Sequence, residues 1–517
     1  MKTTKKKYSM KTGKTSYSAM LLCRRGATYW ENFTKGFALV MLLVFPLLMG
    51  LNGYTAITEG KYILFKILTF CYVGGALLIF GGYFLEKNAW RVRKAEGFQR
   101  LTLPQILLLA FTAWGVVCAL VSPYTQLWEG QSRYEGVLSM LLYTAIFVLV
   151  AFWGEYSAYY LPAMAVMALA QGVVSLLQIS GVDLIYPEGY NYASTAFVGM
   201  LGNIDCMGGL VAIALPALAC GFILLEGRWR YVMLSGAAIL LAVEILIDVD
   251  SAKMGLLAAL VVSVPFLVTE RRHLKNTLCI GAVLLAVFGL CRWIRVGSFG
   301  KLVLLSFIAA VLFGAGSFLL GKFQKPFGWS KKKICLLVVA AEVVFAVAAL
   351  LYLRGYSGSN LLLSDIRDVL HGNLTDGAGS GRGAVWKSCL LLMAASPVFG
   401  CGPGAFLEAF GPYNRPEWGV VFDFAHNDFL QVGVCMGYVG LALYVAFIIV
   451  LAVRAFRNGL RCPLVVIFAS AAAGYLVHSF FSFSIAIVTP IFWVMAGLLE
   501  KLIRQLPPVE KTAKKEK

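Results

Sequence analysis

KKKICLLVVAAEVVFAVAALLYLR, residues 331–354, decides what kind of protein this chain is. Three lysines precede twenty residues that hold a single charge, Glu342, and Arg354 closes the run. A helix rises 1.5 Å per residue, so about 20 apolar residues cross the roughly 30 Å hydrocarbon layer of a bilayer. Such a run reads as a membrane-spanning helix with basic residues anchored at its cytoplasmic end.

The pattern repeats along the chain. The 517 residues are 60% hydrophobic and 14% charged, with mean hydropathy +0.78, whereas soluble chains carry roughly 25% charge. A soluble enzyme, a disordered chain and a disulfide-stapled secreted module are excluded. Apolar runs predict spans near 37–56, 62–84, 103–121, 136–153, 158–178, 204–225, 231–248, 254–269, 275–292, 301–320, 334–353, 429–453, 462–480 and 485–500. The expected fold is therefore an all-α polytopic membrane protein of about fourteen transmembrane helices. The first apolar run is too long for a signal-peptide core and is expected to stay as the first span.

Charge sets the orientation. With the amino terminus inside, 33 of the 45 Lys and Arg fall in 1–35, the alternate loops and the tail from Lys501, so both termini are expected in the cytoplasm. The net charge of +19 then reads as membrane anchoring, and no nucleic-acid partner is expected. The 12 cysteines show no CxxC spacing and read as small buried hydrophobes, with neither a metal site nor a bridge expected. The expected layout is a basic segment 1–35, a membrane domain 36–353, an extracytoplasmic loop 354–428, a second membrane domain 429–500 and a basic tail 501–517.

Two outer segments are long, Ile179–Asn203 and the loop between the eleventh and twelfth spans. A connection of that second length must carry structure or function. Within it, Ala384–Ser396 is too short to span and apolar enough to lie at the membrane interface, and Pro397 ends it. A partly helical cap over the outer face is expected.

Charge is costly near a membrane and marks function. In Gly381-Arg382-Gly383-Ala384-Val385-Trp386, the glycines allow close backbone approach and Arg382 opens a helix. A guanidinium there suits a phosphate or pyrophosphate clamp, and equally a solvated arginine at a helix start. Trp386, one turn on, reads as an interfacial anchor. The Gly-Pro-rich run Pro397–Phe406 reads as a tight structural turn whose N–H groups also suit an anion. His426-Asn427-Asp428 precedes span twelve, with Asn427 or Asp428 as its cap. His426 is then either a proton acceptor at the outer surface or an interfacial histidine bonded to a backbone carbonyl. His478, at the outer end of span thirteen, reads first as a packing residue. Asp248, Asp250 and Lys253 meet outside spans seven and eight, as an internal salt bridge or as a cation held for a lipid-linked phosphate.

In this order the motifs resemble the O-antigen ligase/polymerase superfamily, which includes O-antigen ligases, Wzy-type polymerases and related oligosaccharyltransferases. The likeness is carried by Trp128-Glu129-Gly130 with Arg133-Tyr134-Glu135-Gly136, by Gly199-Met200-Leu201-Gly202-Asn203 and by Asp250-Ser251-Ala252-Lys253-Met254-Gly255. In the large loop it rests on Gly381-Arg382…Trp386, Gly400-Cys401-Gly402-Pro403-Gly404 and His426-Asn427-Asp428-Phe429-Leu430. His478-Ser479-Phe480-Phe481 completes it. The family carries arginine where Lys253 stands, and lysine lacks the planar fork that grips two phosphate oxygens.

The resemblance implies a multi-pass enzyme of the bacterial cytoplasmic membrane. Its donor would be a glycan on a polyprenyl (undecaprenyl) pyrophosphate, and its acceptor hydroxyl would lie on a glycan, lipid or wall polymer at the outer face. Such chemistry serves polysaccharide biosynthesis, including lipopolysaccharide in the cell envelope. It uses no cofactor and no metal, and the chain would meet chain-length or flippase proteins of the same pathway. Arg382 and His426 become the catalytic candidates, Lys253, Arg133 and Arg382 the pyrophosphate ligands, and His478, Asn427 and Trp386 their support. The alternative is a polytopic transporter or flippase of lipid-linked glycans, against which stands the absence of an evident repeat between the halves.

Overall fold

The computed structural model describes residues 29–50, 53–85, 100–185, 199–323, 327–379, 381–414 and 421–507. The segment 1–28, the loop 86–99, most of the Ile179–Asn203 connection and the tail beyond 507 lie outside the described residues. The described chain is all-α, with no β-strand among these residues.

The helices are α1 (29–47), α2 (Ile57–Leu85), α3 (Leu103–Val121), α4 (Val137–Trp153), α5 (Tyr160–Ile179), α6 (Ile204–Leu224), α7 (Trp229–Ile247), α8 (Asp250–Leu267), α9 (Arg271–Val296), α10 (Lys301–Gly321) and α11 (Lys331–Arg354). Three short helices follow in the large loop, α12 (Leu361–Leu370), α13 (Arg382–Ala395) and α14 (Phe406–Phe410). The chain ends with α15 (Asp428–Gly459), α16 (Pro463–Phe480) and α17 (Thr489–Gln505).

Each expected span meets a helix. Eleven described helices are long and apolar enough to cross a membrane, and a count of fourteen requires α1, α4 and α17 as well. The first helix lies earlier than hydropathy placed it, ending at Leu47 rather than near 56. Polar residues hide its start: Lys35 pairs with Glu155 at 2.6 Å, and Trp30 stacks on Trp153 at 4.3 Å between ring centroids. The last helix closes on charges that hydropathy alone disfavours. Arg454 pairs with the buried Glu500 at 2.7 Å, and Lys501 donates to the Phe152 carbonyl at 2.7 Å.

Helix α6 is the axis of the bundle, buried along almost its whole length and flanked by α7, α8 and α16. Its neighbours approach closely because the contact residues are small. A Cβ on Gly255 of α8 would strike the Gly474 carbonyl of α16, and one on Gly474 would strike the Ala212 carbonyl of α6. Backbone-to-backbone packing of this kind is how helices associate where lipid removes the hydrophobic drive between them. At the other extreme, α9, α10 and α11 present most of their residues to the exterior.

Helix α15 is not one continuous helix. At Gly437, φ is +64° and ψ −174°, a conformation open essentially to glycine alone. The break frees carbonyls that the turn after α13 satisfies. Cys401 N–H donates to Val434 O and Gly402 N–H to Cys435 O, both at 2.9 Å, while Tyr438 N–H donates to Pro397 O at 2.8 Å. Gly400 N–H is spent on Ser396 O at 3.1 Å. The Gly-Pro-rich run is thus the structural turn, and these N–H groups cap helix ends rather than face an anion.

A side chain at Gly437 meets both the forbidden φ and the Val398 carbonyl. Gly437→Val should therefore destabilise the protein by roughly 2–5 kcal/mol, read as a lowered unfolding temperature in detergent. An unchanged temperature would show that the turn and the broken helix are not interlocked.

Candidate functional site

Three loops build the site, and glycines let them touch. In the loop between α3 and α4, Gly130 has φ +84° and packs against Gly404 (φ +83°) and Gly136. The Ser122 hydroxyl donates to Cys401 O at 2.5 Å, and the Gln131 amide nitrogen donates to Glu408 at 3.0 Å. The motif around Trp128 and the Gly-Pro-rich turn thus form one platform. Tyr134, with φ +58°, stacks on Tyr62 of α2 at 4.6 Å.

Arg133 projects from that platform. Its Nε and Nη2 donate to the two Asp423 oxygens at 2.8 and 3.0 Å, and its guanidinium lies 4.8 Å from the Phe483 ring centroid. Two-point pairing fixes the plane of the guanidinium. Burial pushes the Asp423 carboxyl up, and Arg133 together with hydrogen bonds from Ser132 and the backbone more than offsets it, leaving that carboxyl below its ordinary range.

Arg382 starts α13 directly after Gly381, at φ +88°. Its Nη1 donates to Phe481 O, in the connection after α16, at 2.7 Å. Trp386, one turn on, donates its indole N–H to Ala425 O at 3.1 Å and packs beside Phe480 and Phe481. Met393 and the inner face of α13 lie on α15, and Leu390 and Leu391 stay exposed. The expected short helix exists, with one face held by protein.

His426 sits at φ +50°, where non-glycine residues are uncommon and such strain collects at functional positions. The next residue explains the bend. Asn427 is the α15 cap, its Oδ1 accepting from the N–H groups of Phe429 and Leu430, each at 3.0 Å. The imidazole lies edge-on to Phe483 at 5.4 Å and to Phe422 at 5.7 Å. Its Nδ1 is buried without a hydrogen-bond partner among the described residues. Burial, then the charges of Arg382 and Arg133, lower its pKa to about 4 against a raising effect of Asp423. The ring is neutral at neutral pH.

His426, Arg133 and Arg382 therefore converge around residues 481–483. Asp205, in the first turn of α6, is within electrostatic reach of both arginines. His478 is fully buried beside Gly209 and within reach of the Arg382 charge.

Lys253 lies in the first turn of α8. Its ammonium is held by Asp248 at 2.5 Å and Asp250 at 2.6 Å, and Arg295 also pairs with Asp248. The Arg295 hydrogen bond, followed by that of Lys253, outweighs burial and holds Asp248 at about 2. These carboxylate contacts belong to both alternatives, the internal salt bridge and the cation held for a phosphate.

Sequence reasoning passed over two acids. Asp423 lies three residues before His426, a spacing that was itself a signal. Glu135 was quoted in a motif and given no role. It lines a cavity of about 110 Å³ with Tyr143, Asp428, Tyr444, Tyr475 and Trp493, directly behind the loops that carry Arg133 and His426. Burial holds its carboxyl well above the ordinary range, and Tyr143 donates to it at 2.8 Å. Among the described residues no group of three or more His, Cys, Asp or Glu is placed to hold a metal ion.

A family model described as O-antigen ligase matches residues 245–445, less than half of the chain. That stretch includes Lys253, Arg382, Trp386, His426 and Asn427, and leaves Arg133 and His478 outside. No curated protein and no solved structure matches the chain. The family match supports membership in the broad ligase and polymerase superfamily without selecting a subtype, and with the helices it supports a multi-pass membrane protein of an enzyme family.

Proposed function

We propose that this protein transfers a glycan from a polyprenyl-pyrophosphate donor to an acceptor hydroxyl at the outer face of the cytoplasmic membrane. The observation that carries this reading is the meeting of two guanidinium groups and one neutral, strained histidine beside a helix start. The acceptor oxygen attacks the anomeric carbon, the bond from that carbon to the pyrophosphate oxygen breaks, and the pyrophosphate leaves with the electron pair. His426 takes the acceptor proton. A single displacement of this kind inverts the sugar carbon.

The two arginines hold donors in reserve. Arg382 spends Nη1 on Phe481 O and Arg133 spends Nε and Nη2 on Asp423, and a guanidinium carries five N–H donors. The free ones meet the negative charge that grows on the leaving group, where fixed donors are worth most. Asp423 orients Arg133, and Trp386 ties the Arg382 helix to the residue before His426.

Donor binding also tunes the base. Burial and then the arginine charges hold down the His426 pKa, and a bound pyrophosphate cancels those charges. The imidazole then becomes more basic when the donor arrives. Metal-ion chemistry has no part in this scheme.

The test is a reconstituted reaction in bilayer discs, with a polyprenyl-pyrophosphate oligosaccharide, an acceptor glycan and a chelator. Release of one polyprenyl pyrophosphate per glycosylated acceptor is expected. Product without that release, or a requirement for added metal, would sink the scheme. Lys253 serves at most from the edge in this reading, so Lys253→Ala should cost less than tenfold in rate, far below Arg382→Ala. Equal losses in the two variants would place Lys253 on the leaving group.

A further inference from the structure

Helix α12, LLLSDIRDVL, takes no part in the chemistry above. At 100° per residue, Leu362, Leu363, Ile366, Val369 and Leu370 share one face, and Ser364, Asp365, Arg367 and Asp368 share the other. Asn360 caps the helix by accepting from Leu363 N–H at 3.1 Å. Ten residues are too few for an isolated helix to be stable in water, so the apolar face needs a cover. Yet none of its residues is buried, and Val369 and Leu370 are exposed.

The neighbouring span points to the cover. The one helix substantially packed on α12, among the described residues, is α11. That helix is a span that presents Val344, Phe345 and Leu351 outward. Residues 355–360 alone separate the two, and they fold the chain back: Arg367 Nη1 donates to Tyr356 O at 3.2 Å, and Asn360 N–H donates to the Tyr356 hydroxyl at 3.1 Å. Tyr352 and Tyr356 pair at 6.2 Å, as aromatic residues do at the membrane surface. The apolar face of α12, with Leu362, Leu363 and Ile366 half-buried and Val369 and Leu370 exposed, thus lies one six-residue connection from a helix that presents apolar side chains outward.

We propose that α12 is a membrane-surface helix. Its Ile366 face sits among the lipids of the leaflet beside residues 354–428, and this seat steadies the turn that leads to Arg382. The link to the site is direct, because Asp365 accepts from Gly379 N–H at 2.9 Å, two residues before the glycine that opens α13. The polar face carries Asp365, Asp368 and Arg367, so apolar contact holds the helix and attraction to anionic lipid does not. The lipid contact stands independently of the glycosyltransferase reading, and only the purpose of steadying Arg382 rests on that reading.

The experiment uses the full chain in phosphatidylcholine discs, with a photoreactive benzoylphenylalanine at Ile366 or, on the opposite face, at Ser364. Illumination should yield phospholipid adducts at position 366 about tenfold more often than at 364, with no gain when phosphatidylglycerol is added. Crosslinks from 366 to another part of the protein, or equal lipid yields at the two positions, would overturn the proposal. Hydrogen exchange separates the second half: Ile366→Asp should speed exchange severalfold in the peptide spanning 377–383. Unchanged exchange there would show that the membrane seat does not steady the turn. Neither readout depends on catalytic activity.

Discussion

Replacing Arg382 with alanine should lower the rate of glycan transfer by about 10²–10³-fold, the usual effect of deleting one donor that faces developing charge. The loss should fall mainly on kcat, because charge on the pyrophosphate is greatest as the sugar bond breaks. Stability should change little, since the side chain gives up one hydrogen bond to Phe481 O, worth about 1 kcal/mol. Arg382→Lys should recover only part of the rate, since an ammonium cannot hold Phe481 O and two phosphate oxygens in one plane. A variant that stays folded and turns over normally would remove Arg382 from the mechanism.

Removing the imidazole should cost as much or more. His426→Ala is expected to slow transfer by about 10²–10⁴-fold, the range of general acid–base catalysis. The pH dependence carries a sharper sign. If His426 works as the neutral base, as proposed, its pKa in the free protein, lowered to about 4, means that kcat/KM should stay level from neutral pH down to about 5 and fall near 4. The limb for kcat, which reports the donor-bound protein, should lie higher because the pyrophosphate offsets the two arginines. Arg133→Gln takes away a lowering charge and frees Asp423, which raises the histidine, so both effects move the acid limb upward. A limb at 6.5 in the unaltered protein would mean that His426 is not the group observed.

Hydropathy located the helices well because a span must hide twenty residues from water, a demand that no short-range detail can reverse. It failed where tertiary partners carried the cost. Lys35, Glu500 and Lys501 look like boundaries in sequence, but they are paired inside helices or at their ends. The break at Gly437 was equally hidden, since MGYVG offers glycines without saying which one leaves the helix. What singles out Gly437 is the approach of Pro397–Gly402, a contact between segments far apart in the chain.

The candidate site was legible to the extent that its residues carry unusual local chemistry. Gly381-Arg382 announced a helix start, and His426-Asn427 announced a cap with a titratable neighbour. Convergence was not legible, because Arg133 lies some 290 positions before Asp423 and no local rule joins them. The carboxylate contacts of Lys253 were legible, because Asp248 and Asp250 lie within five residues of it in the sequence.

Arg382 and His426 are proposed to act on a lipid-linked glycan. The most direct measurement is the polyprenyl-linked glycan profile of the host, with the wild-type protein or with Arg382→Ala and His426→Ala at equal protein levels. Both variants should accumulate lipid-linked glycan and lose surface polymer, with single repeats marking a polymerase and long chains a ligase. An unchanged profile in both would contradict the account.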